Sequence, residues 1–476
     1  MSELSNCLKK EIELSNFTIY SLAKEIGYDR ATLNKQLNGY RKFPKDIFLK
    51  ILNLINITEP TKKHLITLFH KEIYGEYFNI FEAIKESFIV YNQTINLINN
   101  SVLSVTKQPI SKNTTSSYIR GKLAIIDSIK TIVLQDLENS TPYIYFNLDI
   151  LTIDLLVFFE SIYINRSQNL DMKSVINFTI DNRGKVDNFS RFINILPLLL
   201  NDYCPYYCYT DGNIDSEISL LYPYYLITNG TVLLISLDFS EAIILKDTEV
   251  VSRYKASFLS ILGKCKKINH EIYPFYSIPN LFNNCIDENS NRNKLSCLNE
   301  GFCSLPFMTK KHLLYMFGDK INNIEQIIDQ LIDCYKKTSD FIAFVPIESI
   351  QDFIETGTDG HTSNDYSKPL PMKYRIEILQ EIYSYIKKGG NYFFVRKNEF
   401  FASSLTFNLM PNSKIVFFNT LTNTDKKTMN VIKTPASLSP ELEFFFDALS
   451  KSCYVIPRED SLNAIQDGID YAKNKL

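Results

Sequence analysis

Gly27 and Gly39 each stand where a short helix would end, and that pair of stops constrains the start of the chain more than any other feature. Upstream, Thr18 is placed to cap a helix through Ile19, Leu22, Ala23 and Ile26, which fall on one face. Gly27 then supplies the positive φ that ends it. Tyr28 is apolar enough to pack inward, and Asp29 can cap a second helix with Leu33 and Leu37 on its buried side. Ala23 is small enough to let the two helices cross closely. After Pro44, Ile47, Phe48, Ile51, Leu52 and Ile55 mark a further amphipathic helix. Two short helices joined at a glycine, within a bundle of about five, form a helix-turn-helix arrangement.

Charge follows the same pattern. Residues 30–50 carry Arg30, Lys35, Arg41, Lys42, Lys45 and Lys50 against Asp46 alone, a local charge of +5 in a chain of net charge −2. A local basic patch is the electrostatic footprint of phosphate contact, although a basic run alone is more often a solvated face. The overall balance excludes a polycation that coats nucleic acid along its whole length.

The residues Thr18, Leu22, Ala23, Ile26, Gly27, Tyr28, Leu33 and Gly39, followed by Arg41, Lys42 and Pro44, resemble the lambda-repressor/Cro-like (XRE) helix-turn-helix family. The resemblance covers residues 8–70. It departs at Ile19, where the family often has Gln, which weakens the phosphate contact expected there. It also departs at Leu37, where the family often has Glu, which adds core. The resemblance implies double-stranded DNA as partner, with the helix after the turn in the major groove. Arg30, Ala31, Thr32, Asn34 and Lys35 would then read bases, Arg30 on guanine and Asn34 on adenine. Thr18, Asn38, Arg41 and Lys42 would hold the backbone. The other reading of these residues is a helical protein-interaction module of the same shape.

Beyond this domain (1–72), Tyr77, Phe81, Ile84, Phe88, Tyr91, Ile95 and Ile98 recur at alternating intervals of four and three. That heptad seam suits a dimerising helix, with Phe81, Ile84, Phe88, Tyr91 and Ile95 as contacts, or a helix packed on the chain's own body. A homodimer is the expectation adopted. The connecting segment, 73–117, ends in a linker rich in Ser, Thr, Lys and Asn.

From residue 118 helical and strand patterns alternate, which argues for an α/β body and an α+β multi-domain chain overall. Ser116 to Leu137 is expected to be helical, and Asn229-Gly230 to form a tight hairpin turn. Two blocks, 118–320 and 321–476, each end in strand, turn, strand, strand and helix. They suggest two related halves, although any α/β chain can yield such outlines. Ile243 to Phe258 loosely resembles the segment after a strand in phospholipase-D-like domains attached to some regulators. Those enzymes use His-x-Lys with a downstream Asp, and none of His64, His70, His270, His312 and His361 has Lys two residues on. The resemblance therefore implies a body without that chemistry.

Other chemistry is sparse. There is no GxGxxG after a strand, Walker loop, HExxH or GxSxG, so neither catalysis nor a cofactor is expected. The tyrosines at 203, 206, 207, 209, 222, 224 and 225 read as strand core and rim before a stacking platform. His361 between Asp359 and Asp365 reads as polar loop before a base or metal pair. Nine scattered cysteines without zinc-finger spacing suit free thiols in a cytoplasmic protein. Met1 to Lys10 holds no apolar core of leader length, and Ile150 to Glu160 is about half the ~20 residues of a membrane helix. The function expected is a sequence-specific transcriptional regulator whose body senses an unknown small-molecule or peptide effector. The alternatives are an interaction scaffold, or an enzyme that docks through its N-terminal domain.

Overall fold

The structure is a computed structural model that describes residues 2–100, 116–147, 152–166, 169–179, 187–200, 203–210, 221–274, 278–283, 285–286, 293–299, 301–318, 323–338, 340–358, 367–396, 405–409, 415–419, 428–433 and 438–476. It has an N-terminal helical region followed by a mixed α/β region. The chain divides into two compact units, each assembled from separated segments. The first contains Met1–Ala83, Glu288–Phe400 and Leu442–Leu476, and the second Ile84–Asp287 and Phe401–Glu441. These units cut across the four consecutive segments expected from sequence, because strand pairing joins residues far apart in the chain.

The helical region comprises α1 (Glu3–Leu14), α2 (Ile19–Glu25), α3 (Arg30–Leu37), α4 (Lys45–Leu54) and α5 (Glu59–Tyr74). A 3₁₀ turn, Gly75–Tyr77, leads into α6 (Phe78–Asn100). Side chains cap most of the starts: Ser2 accepts from Ser5 N at 3.2 Å, Asp29 from Thr32 N at 2.7 Å and Thr58 from Thr61 N at 3.3 Å. The apolar faces meet in one core built from Leu4, Leu8, Leu22, Leu33, Leu37, Phe48, Ile51 and Leu65. Phe48 stacks on Phe69 with ring centroids 4.4 Å apart.

This bundle is not an isolated bead. At the end of α5, His70 Nε2 accepts from Cys453 N at 3.1 Å, and Tyr74 Oη donates to the Ala448 carbonyl at 2.8 Å. Tyr74 and Phe81 also pack on Phe444 and Phe445 of the helix Ser439–Lys451. The first unit therefore joins the N-terminal bundle to the last stretch of the chain.

Strand order shows that the α/β region repeats one plan. In the second unit, Tyr143–Asn147, Asp171–Thr179 and Tyr206–Thr210 pair in parallel, in that order. Tyr224–Thr228, Val232–Ile235, Glu241–Leu245 and Ser116–Arg120 then form an antiparallel series. In the first unit, Lys294–Leu298, Asp340–Pro346 and Asn391–Val395 form a matching parallel triplet. The second unit also holds a matching antiparallel series, Leu405–Leu409, Ile415–Asn419, Thr428–Lys433 and Asn269–Pro274. Each pass ends in a helix, Thr248–Leu262 or Ser439–Lys451. Helices between the parallel strands make the crossovers that parallel pairing requires.

The second pass begins at Asn269, not at residue 321. Its first two strands, Asn269–Pro274 and Lys294–Leu298, fall in the Asn-rich end of the block expected to close at residue 320. A second correction concerns Ser116–Arg120, expected as the start of a helix. It is a strand paired with Glu241–Leu245, and Gly121, at φ +92°, turns the chain into the helix Lys122–Asp136. The Asn229-Gly230 hairpin stands as read, with Thr228 N donating to the Thr231 carbonyl at 2.8 Å.

Candidate nucleic-acid interface

The turn between α2 and α3 is built by local chemistry. Thr18 Oγ1 accepts from Ser21 N at 3.1 Å while Ser21 Oγ accepts from Thr18 N at 3.0 Å, a reciprocal capping box. At the other end, Tyr28 N reaches the Ala23 carbonyl at 2.8 Å and Gly27 N the Lys24 carbonyl at 3.3 Å. That is a Schellman closure around Gly27, whose φ of +65° only glycine adopts without strain. The same closure ends α3: Tyr40 N bonds the Lys35 carbonyl and Gly39 N the Gln36 carbonyl, both at 2.9 Å, with Gly39 at φ +76°. Both ends of α3 are thus fixed independently of any ligand. Hydrogen bonds from Thr32 hold the capping Asp29 carboxyl below the usual carboxylate range.

Leu33, Gln36 and Leu37 face inward on α3, while Arg30, Ala31, Asn34 and Lys35 are exposed and Thr32 is half-buried. Thr18 and Arg41 are exposed as well. Two of the expected backbone contacts are already engaged. Asn38 Nδ2 donates to the Asn34 carbonyl at 2.9 Å and to Asn34 Oδ1 at 3.1 Å. Lys42 Nζ donates to the Glu72 carbonyl at 2.8 Å, tying the loop after α3 to the end of α5.

Three residues at this face are not singled out by the sequence pattern. Gln36 is buried, and its Nε2 bridges Tyr28 Oη at 3.2 Å and the Lys42 carbonyl at 3.3 Å. Tyr20 and Tyr40 stand 61% and 84% exposed on either side of α3, and the Arg30 guanidinium lies 5.8 Å from the Tyr20 ring centroid. A polar residue at a helical core position is the available signal for Gln36. Tyr20 and Tyr40 have no signal beyond lying outside the apolar stripe.

The seam on α6 requires a correction. Phe81, Ile84, Phe88 and Tyr91 are at most 2% exposed within the single chain. Phe81 stacks on Phe445, and Phe88 meets Phe189 with centroids 5.9 Å apart. These four side chains are covered by their own chain and have no surface to offer a second copy. Ile95 has its backbone in α6, but its side chain lies outside the described residues.

In the α/β region Tyr203 is buried, with its hydroxyl on Ser174 Oγ, and Tyr206, Tyr207, Tyr209, Tyr222, Tyr224 and Tyr225 are half-buried. Tyr206, Tyr207, Tyr209, Tyr224 and Tyr225 lie in strands, and Tyr203 and Tyr222 just before them. Asp359, His361 and Asp365 lie outside the described residues. None of the nine cysteines is in a disulfide, and among the described residues no cluster of three or more His, Cys, Asp or Glu side chains could hold a metal ion. No helix among them is long and apolar enough to cross a membrane.

No family model matches the chain, and no curated protein matches it. Among solved structures, it is similar to TrmBL2, an archaeal chromatin protein that shows a novel mode of DNA binding. That match has 13% identity over 55% of this chain and 99% of the other, with a TM-score of 0.21. It is also similar to a polyphosphate kinase from Porphyromonas gingivalis, with 8% identity over 73% of this chain and 54% of the other and a TM-score of 0.23.

Proposed function

We propose that the protein is a sequence-specific regulator that binds double-stranded DNA with α3 in the major groove, in the manner of lambda-repressor/Cro-like proteins. One observation carries this reading: a two-turn helix, fixed at both ends and anchored by Leu33 and Leu37, presents Arg30, Ala31, Asn34 and Lys35 to solvent. Arg30 suits guanine and Asn34 adenine, while Ala31 and the Thr32 methyl suit thymine methyl groups. Thr18, Asn38, Arg41 and Lys42 hold phosphates, Lys42 leaving the Glu72 carbonyl to do so.

In this reading the chain binds rather than catalyses, and the α/β region receives an effector. Two copies would engage paired half-sites, through an interface other than Phe81, Ile84, Phe88 and Tyr91. The test is genome-wide DNA capture with the tagged full chain beside an Arg30→Ala/Lys35→Ala variant. Enrichment at a few palindromic sites, lost in the variant, is expected. No enrichment, or sites retained by the variant, would remove α3 from the interface.

A further inference from the structure

A cleft of about 270 Å³ opens inside the first unit, between the start of α4 and the strand Asn391–Val395. Lys45 and Asp46 form one wall, and Gly389, Gly390 and the segment from Val455 to Ser461 form the other. Two cations face it. Lys45 is half-buried, and burial pushes its ammonium below the usual lysine range, with Asp46 opposing the shift. No carboxylate among the described residues lies within salt-bridge distance of it. Arg458 Nε donates to the Ile386 carbonyl at 2.8 Å, which orients the guanidinium and leaves its two terminal amino groups uncommitted among the described residues.

The floor is kept bare by its own geometry. Gly389 sits at φ +104°, and a Cβ there would meet Arg458 Nη2 at 3.7 Å. A Cβ on Gly390 would collide with the Tyr385 ring. The two helices that begin at the cleft, α4 and Arg458–Asn474, follow Pro44 and Pro457 and have no side-chain cap, so their first-turn N–H groups add positive potential. The opposing charge in the lining is Asp46, and Glu459 and Asp460 follow Arg458 in the first turn of its helix, all three exposed.

We propose that this cleft binds a phosphate-bearing small molecule, held by Lys45 of the helical bundle and Arg458 of the last helix. A desolvated ammonium without a counter-ion is costly, and an anion removes that cost. The planar guanidinium fork matches phosphate oxygens. The volume exceeds an inorganic phosphate, and half-buried Phe393 offers a surface for a carbon skeleton. A ligand held from both walls clamps α4 to the rest of the unit. Binding itself does not depend on the DNA reading, and only its use as an effector site rests on that.

The test titrates the full chain, without DNA, with inorganic phosphate and pyrophosphate at ionic strength balanced by sodium chloride, followed by calorimetry. Saturable binding is expected, weakened about tenfold in Arg458→Gln and in Lys45→Gln. It should be unchanged in Arg253→Gln, an exposed arginine paired with Glu249 in the other unit. The Arg30→Ala/Lys35→Ala variant should bind phosphate like the parent, which keeps failure of the cleft distinct from failure of the DNA-binding face. Arg458 is exposed but holds the Ile386 carbonyl, so circular dichroism checks the fold of both Arg458→Gln and Lys45→Gln. No response beyond matched chloride, unchanged binding in both cleft variants, or equal weakening in Arg253→Gln would overturn the proposal.

Discussion

Helices α3 and α6 are both legible from spacing, yet they end in opposite situations. The apolar positions of α3 anchor it and leave a polar edge to solvent, whereas the aromatic seam of α6 is consumed inside the chain. Apolar periodicity reports that a helix face is covered. It says nothing about whether the cover comes from a second copy or from residues hundreds of positions away. Phe81 is covered by Phe445, a partner that no local pattern could announce.

The largest effect that would break this contrast is at Phe81. Phe81→Ala should cost about 3–5 kcal/mol in the unfolding of its unit, measured by chemical denaturation, because it leaves a cavity in a filled core. A change in sedimentation with little loss of stability would instead restore α6 as a seam between copies. Arg30→Ala should behave in the opposite way. DNA affinity should fall by about 1–3 kcal/mol with altered base preference, while stability moves by no more than about 0.5 kcal/mol. If the melting temperature falls with the affinity, Arg30 is structural and the contrast fails.

Gly27→Ala sharpens the comparison at the turn. No atom lies within 4 Å of the added Cβ, so the cost is backbone strain alone, about 1–2 kcal/mol, read from the bundle's unfolding. The smallest effect is at Asp29. Its folded carboxyl titrates below the ordinary value, so its contribution is present above the unfolded pKa and is lost as pH falls through the folded one. A fluorescence-monitored acid titration should show that loss below the usual carboxylate range, and Asp29→Ala should remove it. An identical acid profile in the variant would show that the cap does not govern the start of α3.

The legible part of the molecule is local. Thr18, Gly27, Asp29 and Gly39 act within four residues of themselves, and each closes the helix end that its position implies. The illegible part is remote. Ser116–Arg120 runs into an apolar helix and looks continuous with it, while its partner strand lies more than a hundred residues on. Only Gly121 marks the break. The second pass of the α/β plan reads as starting late because Lys294–Leu298 is short and sits in an Asn-rich stretch. At the interface, the exposed edge of α3 is legible from the buried one, but the Lys42–Glu72 tie is not, because a lysine's reach across thirty residues leaves no pattern.

The bond between Cys453 and His70 spans 383 residues. During synthesis the bundle leaves the ribosome complete, while the surface that receives the end of α5 has not been made. At roughly 5–20 residues per second, that interval is about 20–75 s. For that time Tyr74 and His70 stand bare on a nascent chain that already carries a finished α3. A molecule truncated before Ala448 would keep that edge without ever seating α5, and would meet its targets, or a chaperone, in that unfinished form.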